Sequence, residues 1–271
     1  MSWRFPPPSQ ARASAAVAVA AVIIMGGCAG APTSDTPESN AASSGALTGS
    51  ITVFAAASLT QPFEQLADAF ESQHPGTAIT FSFGGSSALV AQLIEGAPGD
   101  VFASANEINM DKLVDAGLAD DEPTVFATNV LEIAVPPGNP AGVTDFASLA
   151  DPELQLVICA EAVPCGTATA AIETATGVTL APVSEENAVT DVLGKVASGE
   201  ADAGIVYKTD VLAADSAVDG VAFAESAEAV NRYPIVRVMG SANAELADAF
   251  IAFILGPQGG AALEAAGFGA P

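Results

Sequence analysis

Apolar residues in most of this chain form short runs that are typical of β-strands. The runs are rich in β-branched and aromatic residues, and polar or glycine-containing segments separate them. The pattern predicts strands at Ile51–Ala55, Ala78–Phe83, Asp100–Ser104, Val130–Val135, Leu154–Cys159, Ala203–Tyr207, Val221–Ala224 and Tyr233–Val238.

Between these runs, apolar residues recur at the i, i+3, i+4, i+7 spacing of one helix face. The spacing is most complete at Phe63, Leu66, Ala67 and Phe70. Parts of it return in stretches containing Leu89, Leu93 and Ile94; Met110, Leu113 and Val114; Val192, Leu193 and Val196; and Leu246, Phe250 and Phe253. Because strands and helices alternate, we expect an α/β fold with mainly parallel sheets flanked by helices.

The elements are too numerous for one small sheet, so two lobes are expected. We predict a first lobe from residues 49–129 plus 237–271 and a second from residues 130–236. Two segments would then cross between the lobes, near Asn129–Leu131 and Arg232–Val236. Such a crossing pair allows two lobes to close on a ligand by hinge motion.

The beginning of the chain has a different composition. Arg4 and Arg12 precede an apolar, alanine-rich stretch that is too short to span a bilayer, followed by Gly26-Gly27-Cys28. Residues 1–27 resemble a bacterial lipoprotein signal peptide, in which Cys28 becomes the lipidated N-terminus; the alternative is an ordinary secretory signal. Residues 28–48 are rich in Ala, Ser, Thr, Pro and Gly, which predicts a flexible tether.

Charge, cysteine and histidine content argue against a nucleic-acid partner and a metal site and favour a disulfide. Seven Lys or Arg stand against 32 Asp or Glu, so no basic surface for nucleic acid is expected. In an exported protein, Cys159 and Cys165 favour a disulfide, with two free thiols as the alternative. A metal site is not expected, since the single histidine, His74, is distant in sequence.

Several strands end in a small turn that is followed at once by a helical pattern. Examples are ITVFAAASL at 51–59, ITFSFGGSSAL at 79–89 and LVICAEAVPCGTATA at 156–170. Turns of this kind direct free backbone N–H groups and the positive end of a helix dipole to one place, which favours an anion. For Ser58 alone, the alternative is a helix cap.

At these turns the chain resembles the bacterial molybdate-binding proteins of the ModA family, receptors of ABC importers. The matching stretches are VFAAASLT (53–60), FGGSSAL (83–89), GDVFASA (99–105), VPCG (163–166), ENAVTDVL (186–193), GIVYKTD (204–210), YPIV (233–236) and GPQG (256–259). The resemblance covers about residues 49–271 and implies the type II periplasmic-binding-protein fold.

The resemblance also implies a set of neutral ligands for a tetrahedral oxyanion. Ser58 and Ser86 would each give a hydroxyl and a backbone N–H, Cys165 and Val189 a backbone N–H, and Tyr207 its phenol. Thr190 stands where family members commonly carry Arg. Molybdate, tungstate and sulfate carry no proton at neutral pH, so donors without carboxylates suit them.

The resemblance implies a non-enzymatic monomer without a cofactor. It would carry molybdate, and also tungstate, to the membrane permease of an ABC importer. It would be anchored to the outer face of the cytoplasmic membrane through Cys28, or else be soluble in the periplasm or secreted. A sulfate receptor is the alternative within this class. A serine hydrolase is not favoured, because a helix separates Ser58 from His74 by roughly 20 Å.

Overall fold

Two five-stranded sheets, each flanked by helices, make up the described part of the protein. The computed structural model describes residues 46–271. The predicted signal peptide, Cys28 and most of the predicted tether lie outside this range. Within it, the strands are β1 (Gly49–Ala56), β2 (Thr77–Gly84), β3 (Val101–Ala103), β4 (Thr124–Asn129), β5 (Leu131–Val135), β6 (Leu156–Cys159), β7 (Ser184–Glu186), β8 (Ala203–Tyr207), β9 (Asp219–Val221) and β10 (Asn231–Arg237).

The helices alternate with these strands along the chain. In the described residues they are α1 (Thr60–Gln73), α2 (Ser86–Ile94), α3 (Glu107–Asp115), α4 (Pro164–Thr176), α5 (Val189–Ala197), α6 (Lys208–Ala214), α7 (Ala244–Leu255) and α8 (Pro257–Ala265). A 3₁₀ turn, Ala57–Leu59, connects β1 to α1. No single described helix has the length and apolar character to cross a bilayer; only α7 and α8 together meet that criterion, with a 57° bend between them.

The strand order is β2-β1-β3-β10-β4 in one sheet and β7-β6-β8-β5-β9 in the other. We call the first sheet with α1, α2, α3, α7 and α8 the first lobe, and the second with α4, α5 and α6 the second lobe. Both sheets are mixed, because β10 runs antiparallel to β3 and β4, and β5 runs antiparallel to β8 and β9. The other four strands of each sheet run in one direction, so the expectation of mainly parallel sheets is confirmed.

The chain passes between the sheets at two places. The first is Val130, where β4 ends and β5 begins. The second lies before β10, since Asn231–Arg237 pairs entirely with strands of the first sheet. The second lobe therefore ends before Asn231 and not at residue 236, because hydrogen bonds to β3 and β4 hold the whole strand in the first lobe.

Alternating side chains of β1 enter two different cores. Val53 packs in a cluster with α1, α7 and α8, whereas its neighbour Phe54 packs with α2 and α3 on the opposite face. This is the two-residue period of a strand that is covered on both faces. The second lobe has its own core, centred on residues such as Ile133, Phe146 and Ile205. The strand ends that face the site are thus supported by a separate hydrophobic core in each lobe.

Candidate functional site

The five residues predicted as ligands line one small cavity between the lobes. Its lining contains Ser58, Ser86, Cys165, Val189 and Tyr207. The empty space is about 200 Å³, part of it continuous with solvent. Only a small ligand fits a space of this size. No charged side chain belongs to the lining.

Three α-helices and the 3₁₀ turn begin at this cavity. Ser86 and Val189 are the first residues of α2 and α5, Cys165 is the second residue of α4, and Ser58 lies within the turn. The first N–H groups of a helix have no partner inside the helix. Their positive ends therefore point at a common space, where they favour an anion.

The Ser86 hydroxyl is oriented by a backbone group. Its oxygen accepts a hydrogen bond from the Ala105 N–H over 3.0 Å, and the serine is completely buried. An N–H can only donate, so the Ser86 proton must point elsewhere. This leaves it free for an acceptor in the cavity.

The Ser58 hydroxyl lies 3.0 Å from the phenolic oxygen of Tyr233. Both residues are buried, Ser58 with 8% of its surface exposed and Tyr233 with none. The histidine that a serine hydrolase would require is elsewhere, since His74 follows α1 and contacts Phe70 with ring centroids 4.4 Å apart and planes tilted by 41°. Ser58 therefore lies at the opposite end of α1 from the one histidine of the sequence.

Tyr207 ends β8 and brings a third hydroxyl to the cavity. Its phenolic oxygen is buried and lies close to the Tyr233 phenol, but it makes no hydrogen bond of good geometry with the described residues. Burial raises the pKa of the Tyr207 phenol well above its usual value, and Tyr233 and Asp210 add to the shift. The group is thus a neutral donor, and an unsatisfied buried donor of this kind costs about 1–3 kcal/mol.

One buried carboxylate, Asp210, stands behind Tyr207. It accepts a hydrogen bond of 2.8 Å from the Tyr207 N–H and borders a neighbouring recess together with Ser58. Burial raises the pKa of Asp210 to about 7, although the Tyr207 N–H opposes this shift. It does not line the cavity itself.

Sequence reasoning missed Asp210, Tyr233 and Asn129, which surround the ligand-facing residues. Asp210 follows a strand end within the quoted GIVYKTD stretch, so its position was visible there. Tyr233 begins the quoted YPIV stretch, and Asn129 begins the predicted crossing segment. No local pattern shows that they meet Ser58, because the pairing of β10 with β3 and β4 brings them there.

The loop before α4 is held by a disulfide between Cys159 and Cys165, with 5.7 Å between their Cα atoms. The bridge agrees with the prediction. A Cβ on the next residue, Gly166, would lie 2.0 Å from the Ala160 carbonyl oxygen. The disulfide and this close approach together fix the position of the Cys165 N–H. Within residues 46–271, no three His, Cys, Asp or Glu side chains gather as a metal site.

Contacts between the lobes close the cavity. Ala57 of the first lobe packs into the core of the second, and the Asn109 side-chain amide donates to the Ala162 carbonyl over 3.4 Å. The lobes border the space from opposite sides. Two lobes that close on a small, donor-lined cavity define the class of solute-binding proteins.

Comparisons with known proteins agree with this class. The family model described as bacterial extracellular solute-binding protein matches residues 51–269. The molybdate-binding protein ModA of Mycobacterium tuberculosis (strain ATCC 25618 / H37Rv) is 46% identical over 222 residues, covering 82% of this chain and 85% of that protein. The chain therefore belongs to the bacterial extracellular solute-binding protein family and, within it, groups with proteins named ModA.

Two further matches extend the comparison. The protein named putative ABC transporter substrate-binding lipoprotein YvgL, from Bacillus subtilis (strain 168), is 31% identical over 229 residues, covering 82% of this chain and 83% of that protein. The solved structure of the Azotobacter vinelandii periplasmic molybdate-binding protein superposes with a TM-score of 0.72 at 26% identity, covering 82% of this chain and 99% of that chain.

Proposed function

We propose that this protein captures molybdate, and also tungstate, between its two lobes and delivers it to an ABC importer. The observation that carries the proposal is the cavity between the lobes that neutral hydrogen-bond donors line without any charged side chain. The ligands are Ser58, Ser86, Cys165, Val189 and Tyr207, in the roles that the family resemblance assigns to them. Relatives named for molybdate binding support the choice of ion.

The donor set matches the chemistry of a tetrahedral dianion. Three hydroxyl and four backbone N–H groups would face an ion that can only accept hydrogen bonds. Hydrogen bonds to a charged group contribute roughly 1.5–3 kcal/mol each. Several of them offset the cost of dehydrating the ion and reach micromolar affinity, about −8 kcal/mol.

The acidic exterior opposes the approach of an anion but does not prevent binding. The net charge of the whole chain is −25 at pH 7. Salt screens exposed charges beyond about 8 Å at physiological ionic strength, while the donors act at contact distance. Binding should therefore depend only weakly on added chloride.

The proposal includes export and lipid anchoring of a monomeric receptor. Residues 1–27 would be the signal peptide, Cys28 the lipidated residue and residues 28–48 the tether. The relative named as a lipoprotein supports this part. Replacing Cys28 by Ser should move the protein from the membrane fraction to the soluble fraction, and unchanged membrane association would contradict the anchor.

Sulfate is the alternative ligand, since it is also proton-free and tetrahedral. Calorimetric titration with molybdate, tungstate, sulfate and phosphate in parallel distinguishes the ions. We expect molybdate and tungstate to bind at micromolar concentration or below and phosphate to bind far more weakly. Tighter binding of sulfate than of molybdate would favour the alternative, and absence of binding by all four ions would overturn the proposal.

A further inference from the structure

A series of hydrogen-bonded, buried polar side chains leads from Ser58 to Asn129, where the polypeptide crosses between the lobes. The Ser58 hydroxyl is 3.0 Å from the Tyr233 phenolic oxygen, which is 3.4 Å from the side-chain nitrogen of Asn129. The same nitrogen lies 2.8 Å from the Thr209 hydroxyl in the second lobe. All four residues are at least nine-tenths buried, so water does not replace these partners.

The orientation of the Asn129 side-chain amide determines which partner donates in each hydrogen bond of this series. The Val130 N–H donates to the Asn129 side-chain oxygen over 3.0 Å. Because a backbone N–H cannot accept, the atom facing it must be the oxygen. The Asn129 NH₂ group therefore faces Thr209 and Tyr233, and it can only donate to them.

The same donor-to-acceptor direction continues from Asn129 through Tyr233 to Ser58. The Tyr233 oxygen accepts from Asn129, and its other well-formed hydrogen bond is with Ser58, so its own proton is directed to Ser58. The Tyr207 phenol lies close to Tyr233 but makes no well-formed hydrogen bond. Ser58 then accepts from Tyr233, and its proton turns away from Tyr233 towards the cavity that it lines. The Ala105 N–H has the same effect on Ser86.

We propose that Asn129 and Tyr233 are positioning residues that fix Ser58 as a hydrogen-bond donor, and so make the cavity select proton-free oxyanions over protonated ones. This inference rests on the proposed function. A protonated ion such as hydrogen phosphate must donate to something. If Ser58 accepted a hydrogen bond from the ion, either the Ser58 proton or the Tyr233 proton would be left without an acceptor. The lost hydrogen bond would lower the affinity for the protonated ion roughly tenfold or more.

The variant Asn129→Asp tests this inference, because it reverses the donor-to-acceptor direction of the hydrogen bonds between residue 129 and Ser58. A carboxylate at residue 129 accepts the Tyr233 proton, Tyr233 accepts the Ser58 proton, and Ser58 then offers a lone pair to the ligand. Affinities for sulfate and phosphate are measured at pH 8 by competition with bound molybdate. At this pH both ions carry two negative charges, so the added charge of Asp weakens both equally. We expect the preference for sulfate over phosphate to fall about tenfold.

The double variant Asn129→Asp/Tyr233→Phe is the matched control. It keeps the added charge but removes the Tyr233 hydroxyl, through which residue 129 acts on Ser58. The preference for sulfate over phosphate should therefore return to the wild-type value. Thr209→Val removes a hydroxyl from the same series without affecting Tyr233 and should leave the preference unchanged. An unchanged preference in Asn129→Asp, or the same shift in the double variant, overturns the inference.

Neutron diffraction from deuterium-exchanged wild-type crystals gives a second test that does not depend on a variant folding. The inference requires the Tyr233 deuterium to lie between the two oxygens and the Ser58 deuterium to point into the cavity. A Ser58 deuterium directed at Tyr233 overturns it. Failure of the wild-type protein to bind molybdate would instead contradict the proposed function, while these hydrogen positions would still be measured.

Discussion

Gly85 of the first lobe meets Asn187 of the second so closely that a Cβ on Gly85 would lie 2.0 Å from the Asn187 carbonyl oxygen. Real Cβ atoms do not approach a backbone atom to this distance, and a carbonyl in the main chain moves less easily than a side-chain tip. The absence of a side chain at Gly85 therefore permits the lobes to close, and a methyl group there would hold them apart.

Gly85→Ala should weaken molybdate binding without destabilising the ligand-free protein. Overpacking of this kind costs about 1–3 kcal/mol, which corresponds to a ten- to hundredfold loss of affinity. Calorimetric titration measures the loss, and thermal unfolding without ligand measures stability. Gly84→Ala is the control, because its Cβ would meet only Leu89 side-chain atoms at 3.5 Å or more. Equal affinities of the two variants would show that closure does not depend on this contact.

Tyr207→Phe should separate binding from stability. The phenolic oxygen makes no hydrogen bond of good geometry with the described residues, so its removal should raise the free energy of unfolding, by about 1–3 kcal/mol at most. Loss of a hydrogen bond to a charged ligand should weaken binding about ten- to hundredfold. Titration of the variant with molybdate and denaturant unfolding of the free protein check the two quantities.

Ser86→Ala provides the contrast to Tyr207→Phe. It removes the acceptor of the buried Ala105 N–H, so it should lower the free energy of unfolding by about 1–3 kcal/mol as well as weaken binding. If Tyr207→Phe destabilised the free protein as much as Ser86→Ala does, its hydroxyl would have a partner inside the protein and the assignment as an unpaired donor would be wrong.

Removal of the disulfide should affect stability more than affinity. Cys159 and Cys165 close a loop with a sequence separation of six residues, and a cross-link of that size contributes about 2 kcal/mol in the chain-entropy model. The double variant Cys159→Ala/Cys165→Ala keeps the backbone N–H at residue 165. We expect denaturant unfolding to show the lost stability and titration to show a smaller loss of affinity than in Ser86→Ala. A complete loss of binding would contradict a role limited to the backbone.

Asp210 should make stability depend on pH in an unusual direction for a carboxylate. Burial raises its pKa to about 7, whereas an unfolded Asp has a pKa of about 3.9. The folded state therefore holds a proton that the unfolded state releases. The stabilisation from this group is complete below about pH 4 and is lost as pH rises through about 7, on the order of 4 kcal/mol in total.

Asp210→Asn measures this contribution, because the amide oxygen can still accept from the Tyr207 N–H. Glu132, whose pKa burial also raises, and Glu186, whose pKa is lowered mainly by a hydrogen bond from Lys195, remain in both proteins. The difference in unfolding free energy between wild type and variant should therefore change between pH 4 and pH 8. A difference that is constant over this range would show that Asp210 titrates normally.

The strands that the sequence failed to predict have physical reasons for being missed. β7 consists of Ser184–Glu186, three polar residues at the edge of its sheet, where no apolar alternation develops. β4, at Thr124–Asn129, is separated from β5 by Val130 alone. The boundary at residue 130 was predicted, but β4 itself was missed because Val125, Phe126 and Ala127 are consecutive and show no strand alternation.

The candidate site was predictable only in part. The residues at strand ends and helix starts, such as Ser58 and Ser86, belong to short motifs that a sequence displays directly. The hydrogen bonds that orient their hydroxyls come from Tyr233 and Ala105, which sheet pairing within the first lobe brings near. The direction of the bond at Ser58 depends on the Asn129 amide, and such long-range geometry leaves no local pattern.

A crystal structure of the protein with molybdate, located by the anomalous scattering of molybdenum, tests the central claim most directly. We expect one molybdenum peak in the cavity, with oxygens within hydrogen-bond distance of the Ser58, Ser86 and Tyr207 hydroxyls and of the Cys165 and Val189 N–H groups. A peak at a basic side chain on the surface, or an empty cavity at saturating molybdate, would contradict capture by neutral donors from both lobes.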